Sequence, residues 1–243
     1  MHLRTKGIII KEQTVKESDR LVTLLTADYG ILRAFVRGAK KLNSRMSGAS
    51  LFTYGEFEIY QTKNAYIVDS FESIEHFFAL RNDIVRLSLA QYFAQLMLNF
   101  ADENCECTEY LRLMTNSLFL MCKGDDNYKK IKAAFELRTM MLSGYMPNLL
   151  GCDNCGAYED ETMFFDIRSG LFYCSQCCKN ATIPLSKGIF TAMRYICLSD
   201  VKRVFSFTLS HESMDVLAQV AEQYLLEHTD SQLGTLSFYK SLV

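Results

Sequence analysis

The chain has 243 residues, 49% hydrophobic and 22% charged, with a formal net charge of −2, the balance of an ordinary water-soluble globular protein with room for more than one domain. No long apolar run follows Met1–Gly7, and the most apolar region, Phe77 to Phe100, is interrupted by Arg81, Asp83 and Arg86, which argues against a secretory leader and a membrane-spanning helix. Nine cysteines, an odd number, in a chain without an export signal point to the reducing cytoplasm.

The charge is unevenly spread. Residues 1–70 hold 11 Lys+Arg against 7 Asp+Glu, a net of +4, and the remainder carries −6. From Tyr29 to Gly55 there is no acidic residue, yet Arg33, Arg37, Lys40, Lys41 and Arg45 all fall there. That asymmetry calls for an anionic partner at the amino-terminal part.

Residues 1 to about 75 read as strands and turns. The β-branched run Ile8-Ile9-Ile10 places a strand over Thr5 to Lys11, followed by strands over Arg20 to Thr26, Ile31 to Arg37, Leu51 to Gln61 and Ala65 to Ser73. Five short strands suit a small closed barrel, of the oligonucleotide-binding (OB-fold) or the SH3-like kind. In the third strand, period-two alternation sends Leu32, Ala34 and Val36 to the interior and Ile31, Arg33, Phe35 and Arg37 to the other face. An aromatic ring between two guanidinium groups matches single-stranded nucleic acid, whose bases stack while its phosphates meet cations. The loop bearing Lys40, Lys41 and Arg45 extends that track, or else serves solubility alone.

From Ile74 the period becomes helical. One long helix is expected from Phe77 to about Ala101, a second over Thr108 to Met121 and a third over Asn127 to Ser143. Cys105, Cys107, Cys122 and Cys197 are read as small buried hydrophobes in helix-like segments. Further on, Leu185 to Leu198 is helical, Val204 to Leu209 a strand or connector, Ser210 or Ser213 caps a helix to about His228, and Gly234 to Leu242 forms a last one.

Between these helices lie Cys152-Asp153-Asn154-Cys155 and, after 18 intervening residues, Cys174-Ser175-Gln176-Cys177. Two Cys-x2-Cys pairs at that separation are the spacing of a four-thiolate zinc site. With Cys152, Cys155, Cys174 and Cys177 filling all four positions, no place remains for an activated water, so the metal is structural. Two disulfides, free buried thiols, another metal or a redox pair are the competing readings, and Cys178 competes with Cys177 for the last position. No phosphate-cradling loop, dinucleotide fingerprint, His-Glu-x-x-His or Gly-x-Ser-x-Gly motif is present, and His2, His76, His211 and His228 stand alone, so no catalytic constellation is legible.

The order of parts, with Leu24-Leu25-Thr26 through Gly30 to the Arg33–Gly38 strand end, the Phe135-Glu136-Leu137-Arg138 helix ending Gly144-Tyr145-Met146-Pro147-Asn148, and Gly151-Cys152 to Cys177, resembles the bacterial RecO family over essentially the whole chain. Two departures are Ser169-Gly170, where many relatives carry Gly-Gly, and a tail from Gln232 to Ser237 without the basic composition common there. The resemblance implies a DNA-repair mediator and no enzyme. Such proteins bind single- and double-stranded DNA, anneal complementary strands, and work with RecR to load RecA on gaps covered by single-stranded-DNA-binding protein, whose acidic, apolar tail they recognise. Lys129, Lys130, Lys132 and Arg138 beside Phe135 are the candidates for that tail, with a solvated basic helix face as the bland alternative.

The expectation is therefore an α+β multidomain chain: an OB-fold DNA-binding barrel over 1–75, a helical bundle over 76–146, a zinc-knuckle segment over 147–182 and C-terminal helices over 183–243. The rival reading is a zinc-stabilised protein–protein adaptor whose barrel takes no nucleic acid, and an enzyme with a motif-free cleft is the third.

Overall fold

The computed structural model describes residues 2–15, 17, 19–38, 46, 48–63, 65–124, 127–178, 182–229 and 232–243. The chain divides into two compact units, one of residues 1–124 with 233–243 and one of residues 125–232.

The first unit opens with β1 (His2–Thr14), β2 (Arg20–Thr26), β3 (Gly30–Val36), β4 (Tyr54–Gln61) and β5 (Tyr66–Glu75), the five strands expected from the sequence. They close into a barrel in the order β1-β2-β3-β5-β4. All neighbours are antiparallel except β3 and β5, which run parallel through Ala34–Tyr66 and Phe35–Ile67. β1 is long enough to pair with β4 through its first half and with β2 through its second, and this shared strand closes the cylinder. The interior is filled by alternate residues, Leu3, Ile9, Val22, Leu24, Leu32, Ala34, Val36, Phe57 and Ile59 among them.

One irregularity in β1 governs what the barrel presents outside. Ile9 faces Leu24 and Lys11 faces Thr23, so Ile10 has no partner and forms a bulge. By simple alternation Lys11 would follow Ile9 into the interior. The extra residue flips the phase, which buries Ile8, Ile9 and Ile10 together and turns Lys11 and Gln13 outward.

A 3-10 turn, Phe78–Asn82, leads to α1 (Ile84–Phe100) and α2 (Thr108–Cys122). The single helix expected over 77–101 is thus broken at Asp83. Asp83 is extended (φ −143°) and its carboxylate accepts from the Val85 and Arg86 N–H groups at 2.8 and 3.2 Å, so it caps α1 instead of continuing the turn. Cys105 and Cys107 lie in the connection before α2, not in a helix. The last helix of the chain packs on α1 in this unit.

The second unit begins with α3 (Tyr128–Leu142), continues through β6 (Thr162–Asp166), β7 (Leu171–Tyr173) and β8 (Ile183–Ser186) in the order β7-β6-β8, and ends with α4 (Lys187–Leu198) and α5 (His211–Glu227). The hairpin β6–β7 between the cysteine pairs went unread, and the helix expected from Leu185 starts at Lys187, where the Ser186 hydroxyl caps it. Val204 to Leu209 is an irregular connector, and Ser210, not Ser213, caps α5. The final helix of the chain, α6 (Gly234–Lys240), belongs to the first unit, held there by buried Leu236 and Tyr239 and by hydrogen bonds from Thr235 to Gln95. No helix among the described residues is long and apolar enough to cross a membrane.

Candidate nucleic-acid interface and metal centre

The outward residues of β1, β2 and β3 form two rows across the barrel. Strand register puts Lys11, Thr23 and Arg33 side by side, and next to them Gln13, Leu21, Phe35 and, across the parallel pair, Ile67. Lys11 and Arg33 are two strands apart, roughly 10 Å across the sheet. Both are exposed, and they line a cleft of about 380 Å³ whose remaining walls include Gln13, Leu21, Thr23 and, from α1 and the connection after it, Leu98, Ala101 and Glu103. Arg37 is exposed just past the end of β3, and Phe35 is half-buried between the two arginines. Neither Arg33 nor Arg37 has an ion pair among the described residues.

Among the described residues Glu103 is the one acid lining the cleft, and backbone pairing fixes it there. Gly30 bridges to Glu103, and the Ile31 N–H donates to the Asp102 carbonyl at 3.0 Å. Gly30 sits at φ +62°, where a Cβ would lie 1.9 Å from the Asp102 oxygen, so only glycine permits the β2–β3 turn to meet this loop.

Of the residues singled out from the sequence, Arg33, Phe35 and Arg37 share the face, whereas Lys40, Lys41 and Arg45 lie outside the described residues. Lys11, Gln13, Leu21 and Thr23 escaped notice. The signal for Leu21 and Thr23 was present in the alternation of β2, but Lys11 reaches this face only through the bulge.

In the second unit the sulfurs of Cys152, Cys155, Cys174 and Cys177 all lie within 4.8 Å of one another. Cys155 and Cys174 are 3.7 Å apart. Tetrahedral metal–sulfur bonds of about 2.3 Å would separate ligands by about 3.8 Å, so the cluster has the dimensions of a metal cage. Each knuckle is held by its own backbone: the Gly156 N–H donates to the Cys152 carbonyl and the Cys177 N–H to the Cys174 carbonyl, while Asp153 N–H and Phe172 carbonyl tie the first knuckle to β7. Burial pushes the Cys152 thiol up, but backbone N–H donors from Cys174, Cys155 and Asn154 outweigh it and hold it down at about 6. The Ala157 amide lowers Cys155, yet contacts with the other three sulfurs drive it up to about 12. Four sulfurs competing for negative charge in this way are suited to a cation that lets all ionise. Cys178 stands outside the cluster and donates to the Ser175 carbonyl.

The basic helix face expected on α3 requires correction. Phe135 is fully buried, and Lys132 and Arg138 are only 5% exposed. Lys132 is held between Glu136 at 2.7 Å and Glu222 at 2.8 Å. Against the cost of burial, those two carboxylates raise its pKa. The Arg138 guanidinium donates to the carbonyls of Ile196, Cys197 and Ser199 at 3.2, 2.6 and 2.9 Å, satisfying the end of α4 that the helix itself leaves open. Lys129 remains exposed and is paired with Asp215, and Lys130 is half-buried over the Phe207 ring. Lys132 and Arg138 serve the interior of the unit, and Phe135 presents no surface beside them.

Comparison with known proteins bears on both sites. The N-terminal family description "Recombination protein O N terminal" matches residues 1–77, and "Recombination protein O C terminal" matches residues 81–237. The chain is 32% identical to the DNA repair protein RecO of Acetivibrio thermocellus, over 99% of its own length and 97% of that relative's. It belongs to the RecO family of DNA repair proteins. RecO of Alkaliphilus metalliredigens is 27% identical over 95% of each chain, and RecO of Caldicellulosiruptor bescii 25% identical over 98% of each. The family assignment agrees with the resemblance carried by the sequence motifs and gives the chain a role in DNA repair.

Proposed function

We propose that the chain is a DNA-binding recombination mediator that acts by holding strands, without bond chemistry of its own. The observation that carries this reading is the outer barrel face, where Arg33 and Arg37 flank Phe35 and Lys11 lies two strands across from Arg33, in a chain of the RecO family. The strand order β1-β2-β3-β5-β4 with β3 parallel to β5 favours the OB class of barrel over the SH3-like class, and in OB barrels this face takes oligonucleotides. Phosphates meet the cations while bases stack on Phe35, at about 1–3 kcal/mol per base. Two strands held in this way can be brought together, so annealing of complementary strands follows, and the family resemblance extends the role to loading RecA with RecR on gaps covered by single-stranded-DNA-binding protein.

The four-cysteine cluster takes zinc in this reading. Thiolates suit zinc, and a site with all four ligands from the protein leaves it no open position, so its contribution is to the folding of residues 125–232. The test is strand annealing and single-strand binding at two salt concentrations, comparing the wild type with the Arg33→Ala, Arg37→Ala double variant. The expected result is binding that weakens steeply with salt and a variant impaired in both assays. A variant as active as the wild type removes the barrel face from the mechanism, and a wild type that retains no DNA favours the adaptor reading.

A further inference from the structure

We infer that a second pocket on the same barrel face receives a single unpaired nucleobase. The inference rests on the proposed DNA-binding role. The pocket has a volume of about 290 Å³ and is lined by Val15, Phe35, Ala65 and Ile67 with Asp19, Arg37 and Thr62. That is the lower end of the range for small-molecule sites, room for one ring system and no more.

Its position follows from register. Phe35 stands two residues beyond Arg33 on the outward side of β3, roughly 7 Å along the strand. Across the sheet Phe35 faces Leu21, which lines the cationic cleft, and on its other side it faces Ile67, which lines the pocket. The half-buried Phe35 ring thus stands where cleft and pocket meet, and a strand leaving the cleft at Arg33 runs onto it.

Charge divides the labour between the two hollows. Among the described residues, the cleft is lined by two cations and one carboxylate (Lys11, Arg33, Glu103), whereas the pocket is lined by one of each (Arg37, Asp19). A phosphate is drawn to the first. A neutral ring with polar edges suits the second, where Val15, Phe35 and Ile67 supply apolar contact and the Asp19 carboxylate presents oxygen to amino groups on a base edge, while the Thr62 hydroxyl is engaged with the Ala65 backbone. The Asp19 carboxylate also accepts from the Gly38 N–H at 2.9 Å, which ties the end of β3 to the pocket. A base inside a duplex has both faces stacked and its edge paired, and cannot enter without being extruded at a cost of a few kcal/mol. The pocket therefore gives the face a preference for single strands that the cationic cleft alone lacks.

The experiment compares three probes at one salt concentration: a single-stranded oligonucleotide, a strand of equal length with abasic sites through its centre, and a duplex. The proteins are the wild type, Ala65→Leu, which fills the pocket while keeping every charge, and Phe35→Leu, which keeps an apolar side chain without the ring face. The wild type is expected to bind the base-bearing strand about 5- to 100-fold tighter than the abasic one. Both variants should lose most of that preference, and Ala65→Leu should leave abasic and duplex affinities within about twofold. Equal wild-type affinity for base-bearing and abasic strands overturns the pocket and leaves the cationic interface standing. An Ala65→Leu protein that keeps the preference, or that changes only its self-association, also overturns it. A wild type that binds none of the three probes overturns the DNA-binding reading itself, and the pocket with it.

Discussion

Replacing Arg138 by methionine tests whether the cations of α3 are internal struts or a docking face. Arg138 is 5% exposed and its guanidinium donates to three consecutive-region carbonyls, Ile196, Cys197 and Ser199, at the end of α4. Methionine keeps the apolar stem and removes the donors, so the carbonyls lose charged partners in a site that water barely reaches. Hydrogen bonds to a charged group contribute about 1.5–3 kcal/mol each, but the three contacts share one Nη1 and are not additive, so the expected loss is about 3–4 kcal/mol. On a domain whose whole stability is of order 5–15 kcal/mol, that moves the midpoint of urea unfolding by more than 1 M when the slope is about 1–3 kcal/mol per M. Urea titration followed by circular dichroism measures it, with Arg138→Lys, which retains charge but cannot reach all three carbonyls, expected between the two. A loss below about 1 kcal/mol for Arg138→Met, with the slope unchanged, refutes the strut and returns Arg138 to the list of surface contacts.

Other outcomes follow from the two sites. Adding Lys11→Ala to the Arg33→Ala, Arg37→Ala variant should lower the slope of log affinity against log salt for single strands by about another 0.7, the share of one phosphate contact, and fluorescence anisotropy across a salt series reads it; an unchanged slope removes Lys11 from the interface. Cys174→Ser should abolish the roughly one equivalent of zinc expected per chain by elemental analysis and destabilise residues 125–232, while single-strand affinity at the barrel stays within about twofold. Full metal content in that variant would mean the ligand set is misassigned.

The parts legible in the sequence were those carried by near neighbours. Alternation in β3 placed Leu32, Ala34 and Val36 inside and Arg33 outside, and the Cys-x2-Cys spacing located a cluster whose sulfurs do converge. What escaped depended on partners far along the chain. Lys132 looks like a solvent-facing lysine until Glu222 is brought to it, and Arg138 looks like another until the end of α4 arrives. Lys11 was hidden differently: a single unpaired isoleucine shifts the phase of β1, and periodicity cannot register one extra residue inside a run of three alike. The break at Asp83 was available in principle, since an aspartate before a helical run is a capping signal, but the apolar stripe on both sides of it outweighed that cue.

The placement of α6 carries a consequence for how the molecule is made. Residues 125–232 are spliced into a unit that otherwise runs from 1–124 to 233–243, so the partner of Gln95 on α1 is synthesised only after the whole second unit. On the ribosome the barrel can close early, but the flank of α1 that α6 covers stays naked until residues 234–240 have followed the second unit. A chain that stops short of Gly234 would keep its strands and its cysteine cluster yet display that bare flank.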